Sequence, residues 1–111
     1  MKDDAVYLHH ILECIGRIEE DTAEGKGRFL ASRRLQDAVL RNLQTMAEST
    51  QRISEDMQMR YPDIEWQRIA AFRNVLVHDY LGIDIERIWE ITQRDVPELK
   101  ATVRRILGID P

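Results

Sequence analysis

The spacing of the apolar residues constrains the fold of this chain more than any other feature of its sequence. They recur at the three- and four-residue intervals of an α-helix along almost the whole length, and no segment sustains the two-residue alternation of a strand. The first predicted helix begins near Asp3 or Asp4 and ends before the segment EGKGR, which we interpret as a turn. Its apolar stripe consists of Leu8, Ile11, Leu12, Ile15 and Ile18.

Four further helices with short connections are predicted. Their limits come from residues that start or stop helices, because aspartate caps a first turn, glycine ends a last turn, and proline disfavours helix at the residue before it. In chain order, the second helix runs from about Phe29 to about Met59, the third opens after Asp63 and ends at Gly82, the fourth is capped by Asp84, and the fifth runs from RDVPEL to Gly108. Short connections favour an all-α, antiparallel up-and-down bundle of about five helices. At this length we expect residues 1–111 to form a single domain with one core.

The composition argues against several classes of protein. No apolar run approaches the roughly 18 residues that a membrane span requires, so we expect no membrane association. The first residues, MKDDAVYLHH, carry acidic side chains where an export signal would be positive, and a cytoplasmic location is therefore the default. The only cysteine, Cys14, cannot form an internal disulfide and lies among apolar neighbours, so we predict that it fills the core.

The balance of charge limits any contact with nucleic acid to one local site. The formal net charge is −4, whereas nonspecific polyanion binders usually carry a basic excess. Thirteen of the sixteen basic residues are arginine, whose planar fork can grip a phosphate at two points. Most of these arginines are explained by solvated helix faces on which basic and acidic residues alternate. A phosphate-binding role would have to be built at a single pocket.

The third predicted helix contains the stretch RNVLVHDYLG, residues 73–82, and has two apolar sides. At about 100° per residue, one side forms a conventional core face of Ile69, Phe72, Val75 and Leu76. The opposite arc sets apolar residues beside polar ones, a composition typical of protein contacts. We predict that this arc is the interface of a two-fold homodimer. The predicted interface residues are Trp66, Ala70, Val77 and Leu81, beside Arg73, Asn74, His78 and Tyr80.

The polar residues of this arc suit metal-independent cleavage of RNA. An imidazole such as His78 can take a proton near neutral pH, and a guanidinium such as Arg73 can stabilise a pentacoordinate phosphate. The attacking group would be the substrate's 2′-hydroxyl, giving a 2′,3′-cyclic phosphate and a 5′-hydroxyl. We find no HExxH motif, and His9 and His10 diverge on their helix, so we predict no metal site and structural or surface roles for both. The residues alone leave a structural role for His78 at a helix end equally open.

The pattern Arg73-Asn74-x-x-x-His78-x-Tyr80, preceded by PDIEWQRIAAF and followed by LGID, resembles the HEPN superfamily and its HepT-like branch over nearly the whole chain. The resemblance implies a ribonuclease toxin that needs no cofactor and acts as a homodimer with a shared cleft. It implies that His78 is the general base or acid, that Arg73 holds and stabilises the scissile phosphate, and that Asn74 orients them. The RNA target, messenger or transfer RNA, stays open, as does any assembly above the dimer.

The resemblance also implies a partner and a means of control. Similar proteins pair with a minimal nucleotidyltransferase that acts as antitoxin and transfers AMP from ATP to the motif tyrosine, here Tyr80. Since Tyr80 shares the stripe of Arg73, a nucleotide there would place an anion where RNA phosphate binds. A second interpretation is a non-catalytic subunit that presents a nucleotide or substrate to that partner. A third, a plain monomeric bundle, leaves the apolar arc unexplained.

Overall fold

The computed structural model describes residues 4–78 and 84–109, with only the helical backbone described at 74–78. Every regular element within these ranges is an α-helix, which confirms the predicted all-α bundle. The helices are α1 (Asp4–Thr22), α2 (Lys26–Ala31), α3 (Arg33–Gln51), α4 (Glu55–Arg60), α5 (Trp66–His78) and α6 (Ile85–Leu107). α3 packs against both α1 and α5, and α6 packs against α1. The motif helix α5 is therefore held mainly by α3.

Helix α1 has the extent that the sequence predicts. Asp4 lies in its first turn, where a carboxylate interacts favourably with the helix dipole. Its buried stripe consists of Leu8, Ile11, Cys14, Ile15 and Ile18. After α1 the chain turns at Gly25, whose φ of 96° suits a residue without a Cβ, and helix resumes at Lys26. Of the predicted turn EGKGR, only Glu24 and Gly25 lie outside a helix, because α2 begins at Lys26.

The prediction of one helix from Phe29 to Met59 is wrong, because two serines divide this segment. Ser32 is extended, at φ −119° and ψ 108°, and its hydroxyl accepts a hydrogen bond from the backbone N–H of Leu35 at 3.2 Å. Ser54 caps α4 in the same way, accepting from the N–H of Met57 at 3.2 Å. A serine that satisfies a free N–H at a helix start stabilises a new helix there. The apolar period continues across both breaks and conceals them.

The prediction of separate fourth and fifth helices is also wrong, because α6 is a single helix of 23 residues with Pro97 inside it. Proline removes one hydrogen bond of the helix and usually bends or ends it. Here the buried stripe runs past the proline on both sides, so tertiary packing holds the helix together. The stripe consists of Ile88, Ile91, Val96, Leu99 and Val103.

The predicted ends of α6 are confirmed. The carboxylate of Asp84 accepts hydrogen bonds from the N–H groups of Glu86 and Arg87 at 3.1 and 3.3 Å, as an N-cap does. Gly108, at φ 70°, takes the left-handed conformation that commonly follows a helix. An aromatic contact supports the start of α6, since the rings of Phe29 and Trp89 lie 5.4 Å apart.

The start of α5 differs from the prediction by two residues. The helix begins at Trp66, and Asp63 instead accepts a hydrogen bond from Nη2 of Arg105 on α6 at 3.4 Å. The predicted stop at Gly82 lies outside the described residues. Ile69 and Phe72 are buried, as the predicted core face of this helix requires. In the part of the chain that the structure describes, we find no helix long and apolar enough to cross a membrane.

Candidate active site

Helix α5 carries Arg73, Asn74 and His78, and buried residues fix its rotation. Its first residue, Trp66, donates a hydrogen bond from its indole Nε1 to the carbonyl oxygen of Tyr61 at 2.9 Å. Ile69 and Phe72 then follow on the core side. Arg73 comes directly after Phe72, so it leaves the helix at the edge of the buried face rather than on its far side.

The side chain of Arg73 is partly exposed and is held by a neighbour on α3. Its Nε donates a hydrogen bond to Oε2 of Glu48 at 3.0 Å. The side chains of Arg73 and Glu48 are 42% and 46% exposed, so the ion pair lies at the rim of the α3–α5 contact. A guanidinium has five N–H donors, of which this contact occupies one. The arginine is therefore oriented by the protein while its outer end stays suited to an anion.

Glu48 lies on a well-anchored part of α3. Its neighbours Ala47 and Ser49 are both buried. The Ser49 hydroxyl lies 2.6 Å from Nδ1 of His10 on α1, and Nε2 of His10 lies 3.9 Å from the sulfur of Cys14. The turn of α3 that faces Arg73 is thus fixed on its other side by α1.

The histidines of α1 have different surroundings. His10 is partly buried in the contact with Ser49, while His9 is exposed to solvent. This arrangement agrees with structural and surface roles. In residues 4–73 and 84–109, no group of three or more histidine, cysteine, aspartate or glutamate side chains is placed to hold a metal ion.

The thiol of Cys14 lies in the core, as predicted, with 2% of the residue exposed. Burial raises the pKa of this thiol; the nearby Arg17 lowers it and Glu13 raises it, but desolvation dominates. A thiol with a raised pKa keeps its proton and is a poor nucleophile. Cys14 therefore belongs to the core and not to a reactive site.

The remaining predicted site residues are described less fully. Asn74 and His78 both lie in α5 and are four residues apart, so their backbones are one turn apart on one face of the helix. Their side chains, and that of Val77, lie outside the described residues, as do Tyr80 and Leu81 entirely. The catalytic roles of Arg73, Asn74 and His78 and the modification of Tyr80 stay predictions.

The predicted interface residues that can be seen are partly engaged within their own chain. Trp66 is only 6% exposed, although the helical wheel places it on the outer arc, and its indole donates a hydrogen bond to the carbonyl oxygen of Tyr61. Ala70 is partly buried. The homodimer interface at Trp66, Ala70, Val77 and Leu81 stays a prediction that a single chain does not test.

Sequence reasoning missed Glu48, which lies 25 residues before its partner Arg73. In the sequence it is one of many acidic residues interleaved with basic ones on a helix surface. The contact joins two different helices, and the periodicity of either one carries no information about such a pair. Only the packing of α5 on α3 reveals it.

Comparisons with known proteins give a consistent result. The model of the family described as "Ribonuclease HepT-like" matches residues 11–106. A Methanocaldococcus jannaschii protein named "Gamma-glutamylcyclotransferase and putative RNase" is 36% identical over 107 residues, 96% of this chain and 48% of that protein. The "Probable ribonuclease HepT" of Thermococcus cleftensis is 35% identical, covering 90% of this chain and 92% of that protein. A second M. jannaschii protein, named "Putative RNase", is 31% identical over 92% of this chain and 94% of its own length. No solved structure matches.

Proposed function

This chain belongs to the HepT-like ribonuclease family, and on that premise we propose that it is a metal-independent endoribonuclease toxin. The substrate's own 2′-hydroxyl attacks the adjacent phosphorus, and the bond to the 5′-oxygen of the next nucleotide breaks. The products are a 2′,3′-cyclic phosphate and a 5′-hydroxyl. No cofactor is required for this step, because the nucleophile belongs to the RNA.

The observation that carries the proposal is the state of Arg73. Its guanidinium is partly exposed and is oriented through Nε by Glu48, with the N–H pair at its far end suited to a phosphate. Such a group stabilises the negative charge that builds up on the phosphorane oxygens. His78 would accept the proton of the 2′-hydroxyl or return one to the leaving oxygen, and Asn74 would orient the two.

The geometry of one helix favours a site shared by two subunits. Arg73 and His78 are separated by about 7.5 Å along the axis and by about 140° around it, if α5 is regular. Two groups that diverge this far are poorly placed to grip one phosphate. A homodimer with antiparallel α5 helices would let each subunit supply a complementary group to a common cleft, with Trp66, Ala70, Val77 and Leu81 near the contact.

We propose control by a cognate minimal nucleotidyltransferase that acts as antitoxin in the cytoplasm. The phenolic oxygen of Tyr80 would attack the α-phosphorus of ATP, losing its proton and releasing pyrophosphate. The attached AMP would add a negative charge and a large group seven residues after Arg73, which the sequence pattern predicts to be the same stripe. That group would occupy the position of the RNA phosphate and block the cleft.

The test combines cell growth with direct detection of RNA ends. Expression of the wild-type chain without its partner should arrest growth, and purified protein should cut total RNA in the presence of EDTA. The new ends should be 5′-hydroxyls and 2′,3′-cyclic phosphates. Arg73→Ala and His78→Ala should relieve the growth arrest and lower the rate of cleavage by about 100-fold or more. If the wild type and both variants are equally harmless and cut nothing, the chain is instead a non-catalytic subunit of the nucleotidyltransferase complex.

A further inference from the structure

We infer that Glu48 is a positioning residue for RNA cleavage, whose carboxylate sets the plane of the Arg73 guanidinium against the scissile phosphate. The inference rests on the proposed ribonuclease activity. It adds a residue from a second helix to a site that otherwise comes from α5.

The point of contact decides what the remaining donors can do. A carboxylate bonded at Nε lies along the side of the guanidinium plane, 3.0 Å away in this structure. One terminal amino group also has an N–H on that side, but the edge formed by one N–H from each terminal amino group lies at the far end of the plane, away from the carboxylate. This end-on edge is the one that can hold two oxygens of a phosphate at once. Glu48 therefore restricts the rotation of Arg73 without competing for its phosphate-binding edge.

The carboxylate of Glu48 can hold Arg73 in one orientation because the backbone of α3 is held in place at this position. Residues Ala47 and Ser49 on either side are buried, and Ser49 contacts His10 across the bundle. A catalytic group is held precisely only when the residues that support it are themselves locked by packing and hydrogen bonds. The Glu48 backbone meets that condition, so the position of its side chain is limited mainly by its own rotamers.

The exposure of the pair argues against a role in stability. Both side chains are more than 40% exposed, and ion pairs of this kind contribute little to folding. A matched pair exists elsewhere in the chain: Nζ of Lys100 on α6 lies 2.8 Å from Glu19 on α1, with exposures of 37% and 50%. Removing the carboxylate of Glu19 therefore breaks an interhelical ion pair that is about as exposed as the Glu48–Arg73 pair but does not involve Arg73.

The experiment compares Glu48→Gln, Glu48→Asp and Glu19→Gln in the full-length chain. The substrate is a mixed-sequence, end-labelled single-stranded RNA, and kcat, KM and the thermal midpoint are measured together. We expect Glu48→Gln to lower kcat by about 10- to 100-fold with little change in the midpoint, since small misplacements of a catalytic group carry costs of this order. Glu48→Asp keeps the charge on a shorter side chain and should recover part of kcat, while Glu19→Gln should match the wild type.

A double variant separates positioning from a general effect of charge. Arg73→Lys keeps the positive charge but has no Nε–H to donate to Glu48, so adding Glu48→Gln to it should lower kcat little further.

An unchanged or increased kcat in Glu48→Gln would overturn the inference, and an increase would mean that Glu48 masks Arg73. Full additivity in the double variant, or a loss of activity that follows a loss of stability, would overturn it too. Should Arg73→Ala and His78→Ala cleave as fast as the wild type, the proposed function itself fails; should both lose most of their activity while Glu48→Gln does not, only this inference fails.

Discussion

The hydroxyl oxygen of Ser49 lies 2.6 Å from Nδ1 of His10, which ties α3 to α1 in a partly buried setting. Both residues come from unremarkable stretches of sequence, 39 positions apart. The contact lies next to Glu48, and through it next to the guanidinium of Arg73. One polar bridge inside the bundle therefore bears on the geometry of the candidate active site on its outside.

Removing that bridge should destabilise the chain. In Ser49→Ala the ring nitrogen of His10 loses its partner, and we expect the free energy of unfolding to fall by about 1 to 2 kcal/mol, as for a partly buried hydrogen bond left half made. Urea unfolding measures this change. Thr45→Ala is the control, because the Thr45 hydroxyl only donates to the carbonyl of Arg41 in its own helix, at an exposed position. Equal losses in the two variants would show that the contact with His10 contributes nothing.

The thiol of Cys14 should be protected from reagents in the native state. Because burial raises its pKa, little thiolate forms near neutral pH, and the core also blocks access. We expect a disulfide exchange reagent at pH 8 to modify Cys14 only at the rate of unfolding, and rapidly in concentrated urea. Fast modification without urea would show that α1 opens locally.

The same thiol should make the free energy of unfolding fall as the pH rises in the alkaline range. Because burial raises the pKa of Cys14 above the ordinary cysteine value of 9.0, the folded thiol holds its proton to higher pH than an unfolded one. Its contribution is therefore fully present below pH about 9 and is lost as the pH rises through the folded pKa. Thermal midpoints of the wild type and Cys14→Ala, compared between pH 7 and pH 10, isolate the contribution, and the difference between the two proteins should shrink with rising pH.

Pro97 should cost the chain stability that alanine would restore. It lies inside α6, is exposed, and supplies no N–H to the helix. We expect Pro97→Ala to raise the free energy of unfolding by about 1 to 3 kcal/mol. The gain is reduced in part because proline restricts the unfolded chain, and alanine gives up that stabilisation. Pro62→Ala, in the exposed connection between α4 and α5, is the control and should show no comparable gain. A stability loss in Pro97→Ala would mean that the proline ring itself contributes packing.

The features predicted correctly from sequence are those that a short stretch of chain decides by itself. The stripe of α1, the Asp84 cap and the Gly108 stop depend on neighbours within one or two turns. The resemblance to HepT-like ribonucleases is confirmed by the family model that matches residues 11–106. It could be predicted because it depends on a local sequence pattern.

The features that were missed depend on competition between local signals or on contacts between helices. At Ser32 and Ser54 a capping hydroxyl starts a new helix although the apolar period is continuous. At Pro97 the helix continues because it is packed in the bundle, although proline usually interrupts a helix. Trp66 is buried within its own chain and bonds to Tyr61, and Glu48 contacts Arg73 only because α3 and α5 pack together. A helical wheel describes one helix at a time and contains none of this information.

The type of cation at position 73 should matter more for cleavage than the charge alone. Arg73→Lys keeps a positive charge but offers a compact ammonium in place of a planar fork, so it loses both the Nε contact to Glu48 and the two-point grip on phosphate. We expect about a 10- to 100-fold loss of kcat for Arg73→Lys and a larger loss, about 100- to 1000-fold, for Arg73→Ala. The two thermal midpoints should stay close to that of the wild type, since the side chain is 42% exposed. Arg68→Lys is the matched control: Arg68 pairs with Asp95 at 3.3 Å, is 46% exposed and lies on the same helix. If Arg73→Lys cleaves as fast as the wild type, phosphate binding at this position needs only charge, and the fork geometry of Arg73 has no part in the reaction.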